Sequence, residues 1–100
     1  MSEATIAQVV DALAGNERLR VFLRHGRIGS MPARQSRRVQ LLEEVAQLFE
    51  PGVRYLEWQV NHLLGALFDD YVALRRYLVD AGLLDRADGE YWRAGGPVRS

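Results

Sequence analysis

The acidic and imidazole side chains that could catalyse a reaction are badly spaced for it. Glu43 and Glu44 are adjacent, and because neighbours on a helix point about 100° apart, their carboxylates do not converge on one substrate. His25 and His62 stand alone, without the His-x-x-x-His or His-Glu spacing of a metal site. The sequence contains no Cys, no serine nucleophile motif and no glycine-rich phosphate loop. We therefore predict no catalytic residue, no metal ligand and no cofactor, and do not expect an enzyme.

Arginine is the residue type that suggests a partner. All thirteen basic residues are Arg, and thirteen acidic residues balance them, so the formal net charge is zero. Between Arg18 and Arg38 there are seven Arg and no acid, whereas the rest of the chain carries six Arg and thirteen Asp or Glu. Such a basic segment favours an anionic partner. We call it the Arg block, and its members are Arg18, Arg20, Arg24, Arg27, Arg34, Arg37 and Arg38.

Apolar residues at intervals of three and four predict two helices near the N-terminus. The first ends at Gly15 and the second continues to Gly26, after which residues 27–35, rich in Gly, Ser and Pro, are predicted to be a loop. The apolar stripe of the first helix must either cover the core or meet the same helix of a second copy, and we expect the second arrangement, a homodimer. The stripe positions are Ile6, Val9, Val10 and Leu13 in the first helix and Leu19, Phe22 and Leu23 in the second.

Three further helices are predicted in the middle of the chain. One begins behind Ser36 as N-cap and stops at the Glu-Pro-Gly sequence of residues 50–52. A short extended link over residues 53–55 leads to helices over residues 56–67 and 70–81. Their apolar stripes have only one core to enter, and we predict that the following side chains are buried together there: Leu42, Val45, Phe49, Val60, Leu64, Leu74, Leu78 and Trp92.

A β-hairpin is predicted at the C-terminal end, because Asp88-Gly89 is a strong two-residue turn signal. A turn there pairs Ala87 with Glu90, Arg86 with Tyr91 and Leu84 with Arg93. Leu84, Arg86, Tyr91 and Arg93 then share one face of the hairpin, and Asp85 and Trp92 share the other.

The order helix, helix, link, helix, turn, helix, hairpin is typical of a winged helix. We therefore expect a mainly α fold with a C-terminal β-hairpin, in which residues 56–67 and 70–81 form the helix-turn-helix. Residues 1–94 would be a single winged-helix domain with an N-terminal helical extension, and residues 95–100 a flexible tail. No apolar run approaches the roughly 20 residues that cross a bilayer, and no signal peptide is visible, so we expect no membrane partner and a cytoplasmic protein.

Three segments resemble the core of a prokaryotic domain family of unknown function: FEPGVRYLEWQVN, DDYVALRRYLVDAGLLDR and DGEYWR. The resemblance covers residues 19–93. Members of that family occur alone or attached to regulators of winged-helix type and are often labelled transcriptional regulators, so the resemblance implies this fold but no defined activity. The segment ALAGNERLRVF is also similar to the opening helices of small metal-sensing winged-helix repressors. Where the family usually has Thr, this chain has Leu56, which removes the side-chain half of a capping box with Gln59.

Double-stranded DNA is the partner that these observations favour, with transcription regulation as the function. The alternative is a non-catalytic protein–protein interaction domain of the same fold without DNA binding, in which the Arg block binds an acidic partner or the first helix forms an oligomer. The helix over residues 70–81 carries two Arg against three Asp on or beside it, namely Asp69, Asp70 and Asp80. This excess of negative charge is unfavourable for a helix that enters a DNA groove. Both Arg75 and Arg76 could instead pair with acids of the preceding helix, of which Glu57 is the best candidate. The predicted DNA contacts are Arg34, Arg37, Arg38, Arg76, Tyr77, Arg86 and Arg93.

Overall fold

The computed structural model describes residues 4–94, and the predicted tail at residues 95–100 lies outside them. Helices alternate with small antiparallel sheets, and the described part ends in a hairpin. None of its helices is long and apolar enough to cross a bilayer. The helices are α1 (Ile6–Ala14), α2 (Gln35–Ala46), α3 (Glu57–Gly65) and α4 (Tyr71–Asp80). The strands are β1 (Leu23–Arg24), β2 (Arg27–Ile28), β3 (Arg54–Leu56), β4 (Leu84–Ala87) and β5 (Glu90–Arg93).

Helix α1 begins in a reciprocal cap and covers the core of its own chain. The backbone amide of Gln8 donates to Thr5 Oγ1 over 3.1 Å, and the backbone amide of Thr5 donates to Gln8 Oε1 over 2.9 Å. Val9 and Leu13 are buried against the same core as the later helices, and Ile6 and Val10 are partly buried beside them. The stripe on which we based the homodimer is therefore covered within one chain and gives no ground for a twin helix.

The prediction of a second helix near the N-terminus is wrong. The chain forms a single 3₁₀ turn at Arg20–Phe22 and then the β1–β2 hairpin, in which Leu23 pairs with Ile28. His25 and Gly26 form its two-residue turn with φ of 51° and 73°, backbone values that end a right-handed helix. The spacing of three apolar residues could not distinguish a helix from a turn followed by a short strand, and β2 also replaces the start of the predicted loop.

Helix starts differ from prediction in α2 and agree in α4. The N-cap of α2 is Arg34 rather than Ser36, and no side chain bonds to its first free amides. In α4 the N-cap is Asp70, which accepts from the Ala73 amide over 3.1 Å. At α3 the N-cap is Leu56, which supplies no side-chain acceptor, although its amide donates to Gln59 Oε1 over 2.8 Å. The capping box there is thus half formed.

The predicted extended link is a strand that completes a three-stranded sheet of order β3-β5-β4. The hairpin has the predicted register: Ala87 opposes Glu90, Arg86 opposes Tyr91 and Leu84 opposes Arg93. Asp88 and Gly89 form its turn with φ of 53° and 78°. Strand β3 pairs antiparallel with the other edge of β5, placing Tyr55 opposite Tyr91.

Seven of the eight predicted core residues are buried, and Trp92 is the exception. Successive residues on β5 point to opposite faces of the sheet, so only one of Tyr91 and Trp92 can face the helices. Tyr91 occupies that place and is 1% exposed. Trp92 lies half-buried on the outer face, where the Arg54 guanidinium carbon is 4.1 Å from its ring centroid.

Candidate functional site

An open groove lies between α4 and the C-terminal hairpin, with a volume of about 310 Å³. Helix α4 buries Leu74 and Leu78 in the core, which turns its opposite face outward towards this groove. The hairpin forms the other wall through Arg86 of β4 and Tyr91 of β5. Three arginines contribute to the lining, which consists of Val72, Arg75, Arg76, Val79, Asp80, Arg86 and Tyr91.

The Arg75 side chain contacts three residues of neighbouring elements. Its Nη1 donates to Asn61 Oδ1 and lies 3.7 Å from Glu57 Oε2, so it pairs with the acid expected from the sequence. Its guanidinium carbon is 5.7 Å from the centroid of the Tyr91 ring. The side chain is only 16% exposed. Arg75 therefore ties α3, α4 and β5 together, and little of its charge reaches the groove.

Arg76 and Arg86 present their charges to the groove from two different elements. Both side chains are exposed, and within residues 4–94 neither forms an ion pair. Tyr91 lies beside Arg86 and, together with the charge of Glu57, raises the pKa of the Arg86 guanidinium further above its usual value. The Tyr91 hydroxyl donates to Glu57 Oε1 over 3.4 Å. The groove thus offers two exposed, permanently charged donors of a kind that bind phosphate or a base edge.

The other predicted contact residues make bonds within the fold or lie elsewhere. Arg38 donates to the carbonyls of Pro32 and Ala33, and its guanidinium carbon lies 5.1 Å from the centroid of the Tyr77 ring. This pairing places both side chains between the start of α2 and the end of α4. Arg93 donates to the Phe49 carbonyl over 3.2 Å.

Two members of the Arg block, Arg27 and Arg38, make side-chain bonds within the fold. Arg27 closes the end of α3, donating to the Gly65 carbonyl over 2.6 Å, to the Ala66 carbonyl over 3.2 Å and to Asp69 over 2.7 Å. Arg38 lies against Tyr77 of α4. Arg34 and Arg37 lie at the first turn of α2, and neither forms a side-chain hydrogen bond within residues 4–94.

Sequence reasoning missed one exposed apolar surface. Trp58 on α3 is 66% exposed. It borders an open groove of about 300 Å³ together with Tyr55, Gln59, His62 and Leu63. A signal was present, because Val60 and Leu64 define the buried stripe of α3 and Trp58 falls outside it.

Comparison with known proteins gives a family and no activity. In the part of the chain that the structure describes, no three acidic or histidine side chains come together in a way that could hold a metal ion. No curated protein and no solved structure matches the chain significantly. The model of one family matches residues 27–93, which is more than half of the chain and includes every element from β2 to β5. The chain therefore belongs to DUF2087, a family of uncharacterized proteins conserved in bacteria.

Proposed function

We propose that this chain is a winged-helix domain that binds double-stranded DNA as a transcription regulator. The element order α2-β3-α3-α4-β4-β5 and the strand order β3-β5-β4 support this fold. In such a domain the second helix of the helix-turn-helix enters the major groove, and here that helix is α4. The hairpin would lie beside it against the sugar-phosphate backbone.

The observation that carries the proposal is the convergence of Arg76 and Arg86 on one open groove. Neither arginine forms an ion pair within residues 4–94, so contact with phosphate would break none. Arg86 is suited to the backbone because it lies on the hairpin, and Arg76 to a base edge because it lies on the helix. Arg34 and Arg37 would add backbone contacts from the start of α2.

Three of the predicted contact residues fit a role in holding the fold together better than a role in contacting DNA. They are Arg38, Tyr77 and Arg93. Arg38 covers Tyr77, and Arg93 bonds to the Phe49 carbonyl, so contact with DNA would compete with bonds already made inside the domain. Asp80 adds a negative charge to the groove wall and limits the attraction for phosphate. We therefore expect modest affinity, with few phosphate contacts.

Salt-dependent binding to duplexes of random sequence tests the proposal. The slope of log K against log [salt] falls by about one for each phosphate that the protein no longer neutralises. Arg86→Ala should show this decrease on every duplex. Arg20→Ala, which removes an exposed arginine that does not line the groove, is the charge-matched control and should leave the slope nearly unchanged. Absence of salt-sensitive duplex binding by the intact chain in low-salt buffer would overturn the proposal.

Protein–protein interaction is the second candidate, and the exposed Trp58 favours it. Trp58 borders one open groove with Tyr55 and Leu63, and contiguous exposed apolar surface of this kind marks contact sites. Tryptophan is also enriched among the residues that dominate interface energies. The simplest partner is a second copy of the chain. Sedimentation at tens of micromolar should then show a dimer that Trp58→Ala dissociates. A monomer under these conditions would count against this candidate.

A further inference from the structure

Resting on the proposed DNA binding, we infer that Val72 and Arg76 determine which bases the domain prefers. Val72 contacts the C5-methyl group of a thymine, and Arg76 donates to the O6 and N7 atoms of a guanine close by. Both side chains lie on the groove face of α4. The inference extends the proposed function from duplex binding to the composition of the preferred site.

Val72 is an aliphatic residue that α4 leaves exposed. Leu74 and Leu78 fill the core side of α4, and Val72 remains 47% exposed in the first turn of the helix. A recognition helix places its N-terminal residues against base edges. An aliphatic side chain in that position has one specific apolar target in the major groove, which is the thymine methyl group.

Arg76 is the arginine of α4 whose guanidinium is available to a ligand. Arg75 bonds to Asn61 and faces Glu57, whereas Arg76 forms no ion pair within residues 4–94 and is exposed. A free guanidinium beside a major groove matches the two acceptors of guanine in a bidentate manner. Asp80, one turn further along, bears the opposite charge and keeps the end of the helix away from phosphate.

The spacing of the two residues limits the spacing of the two bases. Val72 and Arg76 are four residues apart on one face, which is about 6 Å along the helix axis. Stacked base pairs rise about 3.4 Å. The preferred site should therefore contain a thymine and a guanine within about two base steps of each other.

Binding selection from a random duplex pool tests the role of Arg76. The intact chain should enrich a guanine, and Arg76→Gln should change the preference at that position to adenine, because glutamine pairs with adenine N6 and N7. Discrimination of roughly 5- to 150-fold is expected for such a contact. Arg86→Gln is the matched control and should weaken binding to all sequences without changing the preferred base.

Replacing thymine by deoxyuridine in the selected duplex tests the role of Val72, since this substitution removes only the methyl group. The intact chain should lose about fourfold in affinity, as expected for one buried methyl group. The Val72→Ala variant should be nearly insensitive to the same replacement. Val72 is exposed, so the variant is expected to fold normally.

The results separate failure of the inference from failure of the proposed function. If the intact chain does not bind duplexes in a salt-sensitive manner, the proposed function fails and the inference with it. If it binds, but Arg76→Gln and deoxyuridine leave the base preferences unchanged, only the inference is overturned. A guanine that changes to adenine and an effect of deoxyuridine that depends on Val72 would together establish it.

Discussion

Arg75 and Arg76 are consecutive on α4, yet only the first is bound by the rest of the fold. Arg75 Nη1 donates to Asn61 on α3, whereas Arg76 lies exposed in the groove beside the hairpin. We expect Arg75→Ala to lower the free energy of unfolding by about 1–3 kcal/mol, because it removes the hydrogen bond to Asn61, the ion pair with Glu57 and the contact with the Tyr91 ring. Arg76→Ala should change it by less than about 0.5 kcal/mol. Urea denaturation measures both, and equal losses in the two variants would contradict the assignment.

Asp80→Asn should strengthen duplex binding. The substitution removes the carboxylate from the groove wall and conserves the shape of the side chain. At low ionic strength the gain should be about two- to threefold, and it should diminish as salt screens the charge. Asp11→Asn, which removes an exposed acid from α1, is the control. An equal gain in both variants would mean that only net charge matters and that this groove is not the binding surface.

Arg27 should be important for stability rather than for binding. Its guanidinium donates to two carbonyls at the end of α3 and to Asp69, contacts that a lysine cannot reproduce together. We expect Arg27→Lys to cost about 1–2 kcal/mol in the free energy of unfolding. Arg24→Lys, at an exposed position of the same hairpin, should be nearly neutral. Thermal or urea unfolding that shows no difference between the two would refute this role.

Leu56→Thr should stabilise the domain. A threonine hydroxyl at this N-cap would accept from the backbone amide of Gln59 and complete the capping box. Such a cap contributes about 1 kcal/mol to the free energy of unfolding. Leu56→Ala removes the same exposed leucine without adding an acceptor and separates capping from the loss of apolar surface. The prediction fails if the threonine variant is no more stable than the alanine variant.

Leu74→Ala should be strongly destabilising. Leu74 is fully buried between α4 and the rest of the core, and such truncations cost about 2–5 kcal/mol. Val72→Ala, two residues earlier and exposed, should cost less than about 0.5 kcal/mol. A loss below about 0.5 kcal/mol for Leu74→Ala would mean that α4 buries a different face.

Local signals sufficed where each residue's preference agreed with the final fold. The Asp70 cap, the apolar stripe of α4 and the Asp88-Gly89 turn are short-range features, so α4 and the hairpin register could be predicted from the sequence. The second helix could not, because its three apolar residues fit a helix while His25-Gly26 favoured a turn. Strand β3 was missed as a strand because pairing with β5, more than thirty residues later, is what defines it.

For the candidate site, residue types pointed to arginine, but spacing did not indicate which arginines would remain free. Arg27 and Arg38 belong to a basic segment of the sequence, yet only the folded chain brings the Gly65 carbonyl to Arg27 and the Tyr77 ring to Arg38. Arg76 and Arg86 are ten residues apart and share a groove because the hairpin folds back beside α4.

The sequence by itself determined the periodic elements, the hairpin turn, most of the core and the absence of Cys chemistry, since these depend on residue type and on neighbours a few positions away. Tertiary structure decided which face of β5 enters the core, and therefore that Tyr91 is buried and Trp92 lies under Arg54. It also decided which arginines are available to a ligand. The physical reason is that a side chain's exposure and charge pairing depend on contacts between distant segments, which local spacing does not specify.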